Sequence, residues 1–82
     1  MRRQMIGTKK VCGVQVSYWL LGNLSNEGAT VYGIAVERSE ECVEYADLSS
    51  SQEEVVKLLK SLVSGRVTPV TAGDVVEDWL LR

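Results

Sequence analysis

The chain has 82 residues, of which 45% are hydrophobic and 24% charged, with a formal net charge of −2 and no histidine. This length supports one small hydrophobic core, and the composition is typical of a globular domain rather than a disordered or disulfide-rich chain. No apolar run approaches the roughly 20 residues of a membrane-spanning helix, so we expect a cytoplasmic protein with no membrane partner.

The basic residues are concentrated at the N-terminus. Residues 1–10 include Arg2, Arg3, Lys9 and Lys10 and no acid, whereas the rest of the chain holds five of the nine basic residues and all eleven acidic ones. This asymmetry predicts a flexible basic arm, residues 1–10, in front of a single small acidic domain, residues 11–82.

Three strands are predicted from the alternation of apolar and polar residues. Residues 11–21 alternate at period two, and the Gly- and Asn-rich residues 22–28 are typical of a loop. Residues 29–38 alternate again, and residues 42–48 are predicted to form a hairpin with them after a short polar break.

Two helices follow. Residues 51–65 have one apolar face, with Ser51 and Glu54 at capping-box spacing and with Gly65 suited to a left-handed closing position. Pro69 favours an extended residue before it, and Thr71 is predicted to cap the second helix. The predicted fold is therefore α+β, a three-stranded antiparallel sheet followed by two helices packed on one face.

Parts of the second half resemble a known group of proteins. The stretches YGIAVE, SSSQEEVVKLLKSLVSGRVTPV and DVVEDWL are similar to a family of short, functionally uncharacterised bacterial proteins, found mostly in clostridia and their relatives. The resemblance covers about residues 31–81. It implies a single small bacterial domain and no activity.

Catalytic, metal and cofactor sites are not predicted. Without histidine, Ser–His and Cys–His nucleophile systems cannot be built within the chain. Asp74, Glu77 and Asp78 share a helical surface, but adjacent exposed carboxylates lack the cleft and the two different environments that acid–base chemistry needs, so a solvated face is preferred. Cys12 and Cys42 lack the spacing of a zinc or redox motif, and both are expected to be reduced.

The candidate interaction residues lie on the side of the sheet that the helices are expected to leave open. Tyr18, Tyr32 and Tyr45 fall on the apolar parities and, with Trp79, are predicted to pack in the core. Trp19 has the opposite parity, and it shares a flat, small-residue face with three residues of the next predicted strand, Val31, Gly33 and Ala35. We expect a homodimer through this face, although plain solvent exposure is an alternative interpretation.

Two functions are consistent with these patterns. The first, which we prefer, is a non-catalytic protein-interaction or regulatory module that uses the open sheet face, or the acids Glu77 and Asp78, to bind an unknown protein partner. The alternative is nucleic-acid binding through Arg2, Arg3, Lys9 and Lys10, which is less favoured because no aromatic residues are interleaved with these cations.

Overall fold

The computed structural model, which describes residues 2–81, consists of an antiparallel sheet followed by two helices. The elements are β1 (Arg2–Val11), β2 (Val14–Leu24), β3 (Thr30–Arg38), β4 (Glu41–Ser49), α1 (Gln52–Ser64) and α2 (Pro69–Leu80). The strands lie in the order β1-β2-β3-β4, so each strand pairs with its neighbour in sequence. The predicted α+β class and the order of sheet and helices are confirmed.

The prediction of three strands is wrong, because residues 2–11 form a fourth strand at the edge of the sheet. This segment, predicted as an arm outside the sheet, pairs with β2 and has one bulge, between Met5 and Gly7. An edge strand that is polar on both sides gives no period-two signal, and only Ile6, Gly7 and Val11 are half-buried here. Met1 of the predicted arm and Arg82 of the predicted domain lie outside the described residues.

The turn between β1 and β2 is a two-residue hairpin turn. Val11 pairs with Val14, and the two residues between them, Cys12 and Gly13, both have positive φ, 53° and 80°. Positive φ at both central positions defines a type I′ turn, whose twist matches that of the flanking strands. Cysteine is uncommon at a position with positive φ. Because Cys12 stands where asparagine or aspartate usually precedes the glycine, the sequence lacks the pattern that predicts this hairpin.

Both helices pack on the same face of the sheet, as predicted. The core consists of Val16, Tyr18, Leu20, Ile34, Val36, Val55, Leu58, Leu59, Leu62, Ala72 and Val76. All five strand residues in this core are even-numbered, which is the predicted parity. Tyr32, Tyr45 and Trp79 pack against the core as partly buried residues, and their predicted packing role is also confirmed.

Helix α1 begins as predicted and ends in a different conformation. The Ser51 hydroxyl accepts a hydrogen bond from the Glu54 backbone N–H at 3.4 Å, which satisfies one of the free donors of the first turn. Gly65 caps the C-terminus, but its φ is −83°, and the left-handed residue is Arg66 with φ of 52°. The prediction of a left-handed Gly65 is therefore wrong, and the left-handed residue is the next one along the chain, Arg66.

The N-cap of helix α2 lies three residues before the predicted cap, Thr71. Thr68, with extended backbone, is the N-cap, and Pro69 is the first helical residue. Proline fits this position because its missing N–H would have no helical partner there and its φ is already helical. Thr71 instead lies in the first turn, where its hydroxyl accepts a hydrogen bond from the Thr68 N–H at 3.3 Å.

One buried side chain connects the sheet to the segment between the helices. The side chain of Tyr18 lies in the middle of β2, fully buried, and its hydroxyl donates a hydrogen bond of 2.6 Å to the carbonyl oxygen of Val67. Burial raises the pKa of the Tyr18 phenol above its ordinary value of 10.0, because the phenolate would lose its hydration. The neutral phenol therefore holds the connector, residues 65–68 between α1 and α2, against the face of the sheet on which both helices pack.

A bulge in β4 requires a glycine on β3. The register between these strands shifts between Tyr32 and Ile34, and Asp47 has a φ of 57° within the bulge. A Cβ on Gly33 would overlap the carbonyl oxygen of Tyr45 and lie 2.7 Å from the Cα of Ala46. Both atoms belong to the backbone, so no side-chain rotation could make room.

We predict that Tyr18→Phe lowers the free energy of unfolding by about 1–2 kcal/mol near pH 7, because the Val67 carbonyl loses its donor. The folded-state pKa of Tyr18 is raised, so the contribution of Tyr18 is complete below about pH 10 and is lost as the pH rises through the folded-state pKa. Urea unfolding at about pH 8 and above about pH 10 should show the difference between wild type and variant shrinking.

The control is Tyr32→Phe, since the Tyr32 hydroxyl has no hydrogen-bond partner from the protein in the described range. This variant should change the free energy of unfolding by a few tenths of a kcal/mol, about the level of a surface substitution. A Tyr18→Phe variant as stable as wild type near pH 7, or a gap between the two that does not change with pH, would contradict the assigned role of Tyr18.

We also predict that Gly33→Ala lowers the free energy of unfolding by about 2–3 kcal/mol, because the added methyl group must displace the β4 backbone. The matched control is Gly22→Ala on the neighbouring strand, where the nearest atom, Tyr32 Cε1, would lie at 3.8 Å in ordinary contact. Thermal unfolding of both variants measures the difference. Equal stability of the two variants would show that the β4 bulge does not depend on glycine.

Candidate functional site

The face of the sheet that points away from the helices is the candidate site, and we call it the open face. It is formed by the odd-numbered residues of β2 and β3, by Cys42 and Glu44 of β4, and by Arg3, Met5, Thr8 and Lys10 of β1. The parity changes within β1 because of the bulge between Met5 and Gly7. Both helices pack on the even-numbered residues of β2 and β3, so neither covers this face.

Trp19 lies at the centre of the open face. The guanidinium carbon of Arg3 lies 4.7 Å from the centroid of the Trp19 ring, which is a cation–π contact. Met5 is paired with Trp19 across the strands and is 46% exposed. The indole Nε1 of Trp19 is buried and has no hydrogen-bond partner among the described residues. A buried N–H without an acceptor is uncommon, and it makes Trp19 the least satisfied side chain of this face.

The residues next to Trp19 on the open face are already covered. Leu21 is 1% exposed and Ala35 is fully buried, although no helix lies over them. Their cover must therefore come from side chains of the open face itself, and Gly33 is covered by the backbone of the β4 bulge. Trp19 is therefore half-buried among buried neighbours, Leu21, Gly33 and Ala35.

The predicted interaction residues of the sheet differ in exposure. Trp19 and Val31 are half-buried, while Gly33 and Ala35 are buried. A partner would consequently meet Trp19 and its neighbours Arg3 and Met5 rather than the two small residues. Arg3 and Met5 were not expected to be near Trp19, because the bulged strand that carries them gives no periodic signal in the sequence.

Charge on the open face is separated by sign. The β1 half carries Arg3 and Lys10, and the β3 and β4 half carries Glu37 and Glu44. Within the described residues, no acid lies on the open face of β1 or β2, and no base lies on the open face of β3 or β4. The face is therefore basic at one edge, aromatic at its centre and acidic at the other edge.

The other predicted residues lie elsewhere. Glu77 and Asp78 are exposed on α2, on the opposite side of the sheet from Trp19. Arg2 and Lys9 are paired with Gly22 and Val16, so the four N-terminal cations divide between the two faces of β1: Arg2 and Lys9 on the helix side, Arg3 and Lys10 on the open face.

A groove of about 740 Å³ lies between the ends of β1, β2 and β3 and the start of α1. Arg2, Gln4, Tyr32 and Gln52 are among its lining side chains, and none of the lining residues is acidic. It is open to solvent and is formed mainly by exposed side chains.

Other site types find no support in residues 2–81. This range contains no group of histidine, cysteine and carboxylate side chains that could hold a metal ion. Neither of its helices has the length and apolar character needed to cross a membrane. Cys12 and Cys42 are both free and exposed.

Comparison with known proteins assigns a family. No curated protein and no solved structure matches the chain at a significant level. A family model, described as a family of unknown function, DUF6514, matches residues 2–82. The match extends over β1 as well as over the segment that carries the resemblance noted in the sequence, so it includes every strand and both helices of this chain. The chain therefore belongs to the DUF6514 family of unknown function.

Proposed function

We propose that this chain is a non-catalytic protein-interaction module of a bacterial cytoplasm, and that it binds its partner through the open face. The observation that carries the proposal is Trp19, half-buried at the centre of an uncovered sheet face, with an unpartnered indole N–H. Tryptophan, arginine and methionine are enriched at protein interfaces, and Arg3 and Met5 are its neighbours.

A second copy of the chain is the first partner that we propose. Most soluble oligomers are twofold dimers that use the same surface on both subunits. The open face contains groups of both charge signs and an apolar centre, so it has the components of a surface that binds itself. The exposed acids Glu77 and Asp78 on α2 form a separate surface that suits a basic protein partner.

A non-catalytic role is the economical proposal for this fold. The chain has no histidine, and Asp74, Glu77 and Asp78 are exposed along α2 rather than enclosed in a cleft. General acid–base chemistry needs carboxyl groups in different environments, with at least one shielded from water. The three acids share one solvated helix surface, so we assign them no catalytic role.

We predict that the wild type is a dimer at about 100 µM and that Trp19→Glu is a monomer, because a carboxylate at the centre of the face cannot be buried without a partner. Sedimentation measures both, and circular dichroism checks that the variant is folded. Met5→Glu, at a more exposed position on the same face, provides a second variant if Trp19→Glu unfolds.

The matched control is Val70→Glu, the same kind of change at a residue of α2 that is 74% exposed and lies on the other side of the sheet. It should leave the dimer intact. A monomeric wild type, or a dimer that survives both open-face substitutions, would contradict the proposed use of the open face.

Nucleic-acid binding is the alternative, and one observation favours it: β1 carries Arg2, Arg3, Lys9 and Lys10, all exposed, and no acid. We nevertheless predict no retention on heparin or single-stranded DNA at ~150 mM salt, because the cations are divided between two faces and the rest of the chain is acidic. The comparison variant replaces all four with glutamine, since deleting β1 would remove a strand. Retention that this variant loses would favour nucleic-acid binding instead.

A further inference from the structure

We infer that two copies pair through their open faces about a twofold axis parallel to the strands, so that the basic β1 edge of each copy lies on the acidic β4 edge of the other. This inference rests on the proposed function and specifies the partner and its orientation. It is carried by the separation of charge across the open face.

The charged residues define the two edges of the face. Arg3 is paired with Leu21 and Lys10 with Gln15, which places both cations on the open face of β1. Glu44 is paired with Ala35, and Glu37 lies two residues further along β3, which places both acids on the other half. Neither of the two ion pairs found in the described residues involves any of these four side chains, so none of them is neutralised there, and Arg3 contacts only the face of the Trp19 ring through its cation–π contact.

A twofold axis that runs parallel to the sheet stacks the open faces of two copies on each other. Only two directions of this axis keep the strands of both copies aligned, one across the strands and one along them. An axis across the strands places β1 on β1 and β4 on β4, so that cations face cations and acids face acids. An axis along the strands exchanges the two edges, so that the half with both cations lies over the half with both acids of the other copy, with Arg3 one row from Glu44 and Lys10 one row from Glu37. Like charges facing each other across an interface are strongly unfavourable, so the second axis is selected.

The central residues fit the same arrangement. Met5, Trp19, Ala35 and Glu44 form one row across the sheet. The exchange of edges brings the Trp19 rings of both copies close to the axis and places Met5 near the aliphatic part of Glu44 of the second copy. Apolar contacts at the centre are then surrounded by ion pairs at both edges, which is the usual arrangement of a protein interface.

The size of the face sets the expected affinity. Strands about 4.8 Å apart and about 3.4 Å per residue give a four-stranded face of on the order of 500 Å² per copy. This is below the roughly 800 Å² per partner of a standard interface, so we expect dissociation in the micromolar range and weakening by salt.

Charge reversal tests the pairing. One variant, Arg3→Glu with Lys10→Glu, has an acidic face, and the other, Glu37→Lys with Glu44→Lys, has a basic one. Each alone should dimerise at least about tenfold more weakly than wild type, and a mixture of the two should form heterodimers of about wild-type affinity. Sedimentation of each variant and of the mixture gives the result. A wild-type dimer that neither variant weakens would overturn the inferred orientation. It would not contradict the proposal that the open face binds the partner.

The free cysteines test the direction of the axis. Cys12 in the β1–β2 turn and Cys42 near the β3–β4 turn lie at the same end of the sheet. An axis along the strands keeps these ends together, so Cys12 of one copy lies near Cys42 of the other. A mixture of Cys12→Ser and Cys42→Ser should therefore give a covalent dimer with a bifunctional maleimide in higher yield than either variant alone.

The outcomes separate the two proposals. A Trp19-dependent dimer without the mixed crosslink would overturn this orientation and keep the open face as the interaction surface. A wild type that remains monomeric at about 100 µM, well above the expected dissociation constant, would overturn both.

Discussion

The hydrogen bond from the Tyr18 hydroxyl to the Val67 carbonyl is the constraint on which the two-sided character of this fold depends. Val67 lies between α1 and α2, so the bond holds the connector against the middle of the sheet. With its connector fixed there, α2 packs beside α1 and on the same face, where Ala72 and Val76 join the core. Because the phenol is fully buried, the connector could leave this position only by exposing apolar surface and breaking a buried hydrogen bond.

A sheet that is covered on one side must protect its other side in a different way. Here the open face provides its own cover: Trp19 stands beside the buried Ala35, Arg3 lies on the Trp19 ring, and the β4 bulge lies over Gly33. This arrangement shields small residues from water, but it leaves the indole N–H without an acceptor. An unsatisfied donor beside partly exposed Met5 is a costly feature for a surface with no partner, and for this reason the open face, rather than the helix side, is the proposed binding surface.

Sequence periodicity predicts most of the fold because most of the elements have one buried side. Strand β2 alternates, β3 has its large apolar residues on the helix side, α1 has a single apolar face, and the Ser51 cap is visible in the residues themselves. The features that were missed have no such signal. Strand β1 is polar on both sides, and the bulge beside Gly33 depends on pairing between two strands. The surroundings of Trp19 could not be predicted for the same reason, since they are assembled by register across a bulged edge strand.

The two edge strands, β1 and β4, also explain why two copies are proposed to associate through their open faces and not through their edges. Edge β1 is basic and edge β4 is acidic, so charge alone would allow the edges of successive copies to pair and extend the sheet without limit. Both edges, however, are irregular: β1 has its bulge between Met5 and Gly7, and β4 has its bulge around Asp47 with a left-handed backbone. A broken ladder cannot accept a long strand, because its N–H and C=O groups are out of register. The proposed face-to-face pairing would use the same opposite charges within a closed dimer, in which each edge is opposed once and growth ends at two copies.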